Sequence, residues 1–357
     1  MARVTIVVAT YNRPQLLKHT IASILKQTFE DWILLVVGDQ CADETRELME
    51  SYSDDRIFYL NLETRCGEQS GPNSAGFFAA STEYVAFANH DDIWLPDHLA
   101  HAVATLDQGH ADFFGAGAGL TTLDVRRNIP VVWERTPAER QVSQSYFNMP
   151  VLFEPVSAWV VRRSVFEVVG AWRPASTIYR TPLEDWVLRL WRKDVPCHFD
   201  NKITVLYCNA EKTAWQREGR EGSLYGKTES EGEYWNEQID QVGAERFREM
   251  TEQHLKALEG LRNWTFLKYQ YQGTQKTWIF ESLLTEATAR LCKETGWDGH
   301  AEAWKILGGK AGYALDVMLK RRTGEALPSH KDWRDVSTDA RKRLESDARW
   351  QRMNGHA

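Results

Sequence analysis

Buried strands alternate with amphipathic helices through the first third of this 357-residue chain, and this alternation constrains the fold most strongly. Continuous apolar runs, typical of strands buried on both faces, occupy residues 3–9, 32–37, 57–60 and 84–88. A helical pattern follows each run, as in Leu17, Ile21 and Ile24 after the first. Strand and helix alternating in this way predict an α/β fold with a mostly parallel sheet flanked by helices.

The pattern changes after Asp112. Short strands with glycine turns are predicted over residues 113–133, a further strand over 156–162, a helix over 183–193 and a last strand over 203–207. The polar segment 209–232 predicts a loop, and the chain from Glu233 to about Met353 is helical by pattern. We therefore predict an α/β domain over residues 1–232 and a helical C-terminal extension over residues 233–357.

Charge and cysteine content restrict the partners and the compartment. A net charge of −7 argues against a nucleic-acid-binding surface. Residues 310–357 are locally basic, with 11 Lys and Arg against 7 Asp and Glu, which indicates either a phosphate-bearing or membrane-surface partner or a solvated helical face. Five scattered cysteines, and the lack of an apolar run of ~18 residues, favour reduced thiols in a cytoplasmic protein without membrane spans.

Polar side chains follow the predicted parallel strands at the points where these strands end. Thr10, Tyr11, Asn12 and Arg13 follow the first strand, Asp39 the second, and the run Asn89, His90, Asp91 and Asp92 the fourth. Ligands of open α/β sheets bind at the carboxyl ends of strands, and paired carboxylates suit Mg²⁺ or Mn²⁺ together with phosphate oxygens. The alternative is that Asp91 and Asp92 only cap the next helix.

Several familiar site motifs are excluded. No G-x-G-x-x-G follows the first strand, residues 226–228 (GKT) lack the upstream glycine of a phosphate-binding loop, and neither H-E-x-x-H nor G-x-S-x-G occurs. A second acidic pair, Glu184 and Asp185, opens a predicted helix. This pair is either catalytic or a favourable interaction with the helix dipole.

Together these segments resemble the inverting family-2 glycosyltransferases of GT-A fold. The resemblance is carried by ATYNRP, SILKQTF and VVGDQCADET near the N-terminus, by EYVAFANHDDIWLPDHL, and by VVRRSVFEVVGAWRP followed by LEDWVLRLWRK. It covers residues 3–208 and implies a GT-A-like sheet. It also implies transfer of a sugar from a nucleoside-diphosphate sugar, with a UDP-sugar favoured, to a saccharide or glycolipid acceptor.

The resemblance also implies roles for individual residues. Thr10 and Tyr11 would line the pocket for the base and ribose, with Asn12 and Arg13 beside them, and Asp39 would accept a hydrogen bond from the base. Asp91 would hold Mn²⁺ or Mg²⁺ at the diphosphate, with Asp92 beside it. His90 either contacts the ribose or phosphate or packs at the strand end. Asp185 would be the general base, oriented by Glu184.

The chain departs from the family pattern at three places, which leaves a non-catalytic function open as an alternative. Asn89 and His90 stand where relatives commonly carry acids, and Ala210 stands where many carry a histidine, unless Glu211 replaces it. These departures are also compatible with a degenerate, non-catalytic protein that binds sugar nucleotides. A nucleotidyltransferase is disfavoured, because ATYNRP is not a Gly-rich loop.

Two further hypotheses concern the regions outside the strand ends. Aromatic residues in and after the predicted loop either form a lid over the acceptor or pack the loop onto the helices: Trp215, Tyr225, Tyr234 and Trp235. The C-terminal extension is expected to mediate a homodimer, acceptor docking or contact with the inner face of the membrane.

Overall fold

One mixed sheet of nine strands organises the part of the chain that the structure describes. The computed structural model describes residues 2–124, 127, 129–136, 155–175, 182–208, 230–258 and 333–354. The strand order is β3-β2-β1-β4-β8-β6-β9-β5, with β7 paired to β6. The strands are β1 Val4–Thr10, β2 Trp32–Gly38, β3 Ile57–Asn61, β4 Tyr84–Asn89, β5 Ile93–Trp94, β6 Phe113–Asp124, β7 Ile129–Thr136, β8 Trp159–Arg162 and β9 Cys197–Tyr207.

The N-terminal half of the sheet is parallel. β1 pairs in parallel with β2 and with β4, and β2 pairs in parallel with β3. All residues of β1 and β2 are buried, which explains why both segments are continuous apolar runs. The expected α/β fold with a helix-flanked sheet is confirmed, and the carboxyl ends of β1, β2, β3 and β4 share one edge.

The second half of the sheet is mixed. β8 pairs antiparallel with β4 and with β6, whereas β9 pairs in parallel with β6 and antiparallel with β5. β9 begins at Cys197, six residues before the predicted strand at 203, because residues 197–199 pair with Phe113–Gly115. A β-carbon at Gly117 would lie 2.7 Å from the Lys202 carbonyl oxygen, so this close strand contact requires glycine.

Helices flank the sheet. Their bounds are α1 Pro14–Leu25, α2 Asp43–Glu50, α3 Ser70–Ala79, α4 His98–Leu106, α5 Val165–Val169, α6 Pro182–Arg192, α7 Ser230–Val242, α8 residues 244–258, α9 Trp333–Glu345 and α10 Ala348–Asn354. Pro14 starts α1, where its missing amide hydrogen costs nothing. None of the described helices is long and apolar enough to cross a bilayer.

Both described parts of the predicted C-terminal extension pack against the sheet domain. Trp333, Ala340 and Trp350 of α9 and α10 belong to the same hydrophobic core as β1 and β2. Trp235 and Phe247 of α7 and α8 belong to a second core with Leu206 of β9. The domain boundary at residue 232 stays a prediction, and residues 259–332 lie outside the described part of the chain.

An ion cluster at the amino end of β1 makes the fold sensitive to acid. Arg3 donates to Glu83 and to Asp107, both at 2.7 Å, and the Tyr84 hydroxyl donates to Asp107 at 2.7 Å. The hydrogen bond from Arg3, followed by that from Tyr84, holds the pKa of Asp107 below its ordinary value of 3.8. Its contribution to stability is therefore complete above the unfolded pKa and is lost as the pH falls through the lower folded value.

We expect the free energy of unfolding to decline between pH 5 and pH 3 less steeply in Asp107→Asn than in the wild type. Urea titrations at pH 5, 4 and 3 measure both slopes. Asp31→Asn, which changes an exposed aspartate in the turn before β2, is the control and should keep the wild-type slope. Equal slopes for the wild type and Asp107→Asn would contradict the assignment of the pKa shift.

Candidate functional site

Asp39 lies at the carboxyl end of β2, directly beside the end of β1. Its backbone amide donates to the carbonyl oxygen of Thr10 at 2.9 Å. Its carboxylate is buried and accepts hydrogen bonds from the amides of Cys66 at 2.5 Å and Gly67 at 2.8 Å. A carboxylate offers about four acceptor positions, so Asp39 keeps capacity for a ligand. The predicted acidic residue therefore lies between a strand end and a loop that folds over it.

The turn after β1 is fixed by hydrogen bonds to the turn after β2. Asn12 adopts a left-handed conformation with φ of 48°, which asparagine tolerates. Its side-chain oxygen accepts the amide of Ala42 at 2.7 Å, at the start of α2. The Arg13 carbonyl oxygen accepts the amide of Leu17 at 3.0 Å in the first turn of α1. Asn12 and Arg13 thus shape the turn on which Tyr11 is carried.

Tyr11 presents an aromatic face beside Asp39. The ring is half-buried, and the guanidinium of the exposed Arg65 lies 4.0 Å from its centroid. Arg65 belongs to the same loop as Cys66 and Gly67, which bind Asp39. The Tyr11 ring, on the turn after β1, and the planar Arg65 guanidinium, on the loop before α3, together form a surface on which a flat heterocycle can stack.

The end of β4 carries the second predicted cluster. Asn89, His90 and Asp91 are half-buried, whereas Asp92 is 1% exposed. The Asn89 side chain donates to Asp92 at 2.8 Å and accepts a hydrogen bond from Gln69, in the loop before α3. Gln69 therefore links the acidic run to the loop that holds Asp39.

Asp92 is surrounded by donors from three parts of the chain. Its carboxylate accepts from the Asn89 side chain, from the hydroxyl of Ser157, and from the amide of Cys208 at 3.1 Å. Ser157 also accepts the amide of Asn89 at 2.8 Å. Asp92 thus joins the ends of β4 and β9 to the turn before β8. That Asp92 also binds a metal stays a prediction. What the structure shows is that its carboxylate holds these three segments together.

Asp91 is the other predicted metal ligand. No group of three or more His, Cys, Asp or Glu side chains is placed to hold a metal within the described ranges. Mg²⁺ and Mn²⁺ are commonly bound by one or two carboxylates together with substrate phosphates, so Asp91 at a strand end fits such a cation with the remaining ligands coming from a bound diphosphate. Ala210 and Glu211, considered as a third ligand position, lie outside the described residues.

Asp185 lies on α6, away from the strand ends in sequence. Its Oδ2 accepts Nε of Arg189 at 2.9 Å, and its Oδ1 lies 3.5 Å from Nη1 of Arg173. Burial lowers the pKa of Arg189, whose guanidinium also donates to the carbonyl oxygens of Val169 and Ala171. Asp185 is therefore oriented by a firmly held arginine on one side and an exposed one on the other. The Glu184 side chain lies outside the described part.

Of the aromatic residues considered for a lid, two are described. Trp235 is 4% exposed, packs on Phe247 at 5.9 Å between ring centroids, and donates from Nε1 to Glu231 at 3.2 Å. Tyr234 is half-buried, 4.9 Å from Trp235. These contacts favour the packing alternative for Trp235, whereas Trp215 and Tyr225 lie outside the described residues.

Sequence reasoning missed four residues that build this site. Ser157 binds Asp92, Gln69 binds Asn89, Asn61 binds the backbone of Cys41, and Glu68 accepts the amide of Ala175 at 3.1 Å. Burial raises the pKa of Glu68, against the hydrogen bonds that it accepts from Ser70 and Ala175. Only Asn61 carried a detectable signal, since it is a polar residue at the end of a predicted strand.

Comparison with known proteins identifies relatives of about a third of the chain. The chain is 34% identical over 110 residues to the UDP-Glc:alpha-D-GlcNAc-diphosphoundecaprenol beta-1,3-glucosyltransferase of Escherichia coli, which covers 31% of this chain and 43% of that protein. It is 33% identical over 118 residues to the GalNAc(5)-diNAcBac-PP-undecaprenol beta-1,3-glucosyltransferase of Campylobacter jejuni, which covers 32% and 38%. The chain therefore matches less than half the length of each of these relatives.

The chain is also similar to a solved structure and matches a family model. The crystal structure of S. aureus TarS 1-349 in complex with UDP covers 93% of this chain and 95% of its own, at 15% identity and a TM-score of 0.43. Residues 5–170 match the model described as Glycosyl transferase family 2. They contain nearly all of β1, the whole of β2 to β4, and both Asp39 and Asp92. The chain therefore contains, at residues 5–170, a region that matches glycosyl transferase family 2.

Proposed function

We propose that this protein is a metal-dependent, inverting glycosyltransferase that moves a sugar from a UDP-sugar to the hydroxyl of a saccharide or glycolipid acceptor. The observation that carries the proposal is the placement of Asp39. This buried carboxylate lies at the strand edge beside Thr10, in a region that matches family 2, with acceptor capacity left after its two backbone hydrogen bonds.

The base and ribose of the donor are proposed to bind at the ends of β1 and β2. Asp39 would accept the N–H of the base, and Tyr11 with Arg65 would provide the stacking surface. The Thr10 hydroxyl is buried and makes no hydrogen bond in the described part of the chain, so it can serve the donor. UDP is the favoured nucleotide, because the relative in Escherichia coli is named for a UDP-linked donor.

Asp91 is proposed to hold Mg²⁺ or Mn²⁺ at the diphosphate, with Asp92 beside it supporting the strand end. When bound, the cation would neutralise charge on the departing nucleoside diphosphate. Asp185 would take the proton of the acceptor hydroxyl at Oδ1, where its contact with the exposed Arg173 is long enough for a hydroxyl to replace it. Attack on the face opposite the leaving group would invert the anomeric configuration.

The acceptor is proposed to be a surface-glycan precursor. Both curated relatives are named as glucosyltransferases that act on undecaprenol-linked saccharides, which supports a glycolipid acceptor. Cytoplasmic location, contact with the inner face of the membrane and dimerisation through the C-terminal helices stay predictions.

Titration calorimetry with UDP tests the donor site. We expect the wild type to bind UDP more tightly with Mn²⁺ than with EDTA, and Asp91→Ala to bind equally weakly under both conditions, because the carboxylate that holds the cation is gone. Asp43→Ala, which removes an exposed carboxylate of α2, should behave as the wild type. Metal-dependent binding that survives in Asp91→Ala would refute the metal assignment.

The degenerate-protein alternative is favoured by one observation. The Asp92 carboxylate accepts hydrogen bonds from three protein donors, which leaves it little acceptor capacity for a cation. The two functions differ in turnover. Release of UDP from UDP-glucose or UDP-GlcNAc, with and without acceptor, would support the transferase. Tight UDP binding without release from any UDP-sugar would support a binding protein.

A further inference from the structure

The helix α9 packs against α3. The loop that binds Asp39 ends where α3 begins. Trp333, the first residue of α9, is 4% exposed and donates from Nε1 to the Ser70 hydroxyl at 3.0 Å. Ser70, which is 2% exposed, in turn donates to Oε2 of Glu68 at 2.7 Å. A hydroxyl has one hydrogen to donate, so accepting from Trp333 directs that hydrogen towards Glu68.

Glu68 connects the Trp333–Ser70 hydrogen bond to the loop that binds Asp39. Its carboxylate also accepts the amide of Ala175, so Glu68 is held from two sides. The amides of Cys66 and Gly67, which immediately precede it, are those that bind Asp39. The packing here is close, because a β-carbon at Gly71 would collide with the Cys66 sulfur and would lie 3.5 Å from the Trp333 ring.

α9 also contacts the end of β3, which is hydrogen-bonded to the residues that follow Asp39. Nη1 of Arg343 donates to the carbonyl oxygen of Asn61 at 2.8 Å, at the end of β3. The Asn61 side chain accepts the amide of Cys41 at 2.7 Å and donates to the carbonyl oxygen of Cys41 at 2.8 Å. Cys41 is two residues after Asp39, so the same helix braces the residues that follow Asp39 and the loop that covers it.

We propose that α9 is a positioning element of the donor pocket and that Trp333 is a positioning residue, which orients the Asp39 loop through Ser70 and Glu68. The inference rests on the proposed function insofar as UDP is the ligand of that pocket. Without the indole N–H, the Ser70 hydroxyl can rotate and Glu68 loses a fixed donor. The loop then samples more conformations, and binding must order it again.

The test compares two tryptophan substitutions. Trp333→Phe keeps an aromatic ring and removes the N–H that Ser70 accepts. The control, Trp350→Phe, makes the same change at a residue of α10 that is 1% exposed and packs on Phe58 at 5.0 Å between ring centroids. Both substitutions remove a similar amount of packing from the same hydrophobic core. Thermal unfolding verifies that the two variants are folded to a similar extent.

Two readouts are measured on the full-length chain. The first is the rate at which iodoacetamide alkylates Cys66 in the nucleotide-free protein, quantified by mass spectrometry of the peptide that contains it. The second is the Kd for UDP with Mn²⁺. We expect Trp333→Phe to raise both by about fivefold, as for the loss of one buried hydrogen bond. Trp350→Phe should leave both within about twofold of the wild type. In the Ser70→Ala background, Trp333→Phe should add no further change.

Unchanged Cys66 reactivity and UDP affinity in Trp333→Phe would overturn the positioning role, and so would equal changes in Trp350→Phe. Failure of the proposed function looks different. In that case the wild type would bind no UDP, whereas the response of Cys66 to Trp333→Phe would still decide whether α9 positions the loop.

Discussion

Asp185→Asn is expected to lower the rate of sugar transfer by at least about 10²-fold while leaving the Kd for UDP within about twofold of the wild type. Removing a general base typically costs 10²- to 10⁴-fold in rate. The asparagine retains an oxygen that can accept from Nε of Arg189, so the start of α6 should keep its conformation. Steady-state transfer assays with saturating acceptor, together with UDP calorimetry, measure the two quantities separately.

Asp194→Asn is the matched control for this substitution. Asp194 is exposed, lies two residues after the end of α6 and has a φ of 52°, a conformation that asparagine adopts readily. The same chemical change at this position should leave transfer unchanged. Normal turnover in Asp185→Asn would remove Asp185 as the base, and a parallel loss of UDP affinity would indicate a role in donor binding instead.

Arg248→Met is expected to lower the free energy of unfolding by about 3 kcal/mol, as for a buried ion pair that loses one partner. The Arg248 side chain is 8% exposed and its Nη2 donates to both carboxylate oxygens of Asp97, at 2.7 and 2.8 Å. Its Nε donates to the carbonyl oxygen of Ile203 at 2.9 Å. Since Lys202 remains 2.8 Å from Asp97, we expect the lower end of the range for buried pairs.

Arg246→Met, on the same helix, provides the comparison. Arg246 is 58% exposed and pairs only with Glu249 among the residues described, so its loss should change stability by less than about 0.5 kcal/mol. Urea unfolding with a single transition would give both values. A small effect of Arg248→Met would mean that α8 contributes little to the stability of the sheet domain, as expected if residues 233–357 were an independent extension.

The parallel half of the sheet could be predicted because its strands are mostly buried, β1 and β2 along their whole length. Such strands appear as uninterrupted apolar runs, and β1 to β4 were found within one or two residues of their ends. The first half of β9 was missed because residues 197–202 mix polar and apolar side chains and are largely exposed or half-buried. Its pairing with β6 is parallel and distant in sequence, so no local pattern encodes it.

The strand-end residues of the site were predictable for a related reason. Residues that follow parallel strands meet at one edge whatever connects the strands. The residues that fix them were not predictable, because their partners are remote in sequence. Asp92 is bound by a serine 65 positions away and by an amide 116 positions away. The sequence singles out Asp185 as part of an acidic pair that opens a predicted helix, but its role as the general base is implied only by the family resemblance. Its pairing with Arg173 and Arg189 follows from how α6 packs.

The separation of 263 positions between Ser70 and Trp333 has a consequence for synthesis on the ribosome. Chains emerge from the N-terminal end, and domains fold as their residues become available. Until residues 333–354 have emerged, the outer side of α3 and the neighbouring edge at β3 remain uncovered by α9 and α10. The nascent sheet can form before then, but its apolar face would be open to chaperones and to other chains. Folding of this sheet domain therefore finishes with residues far outside the region that matches the family.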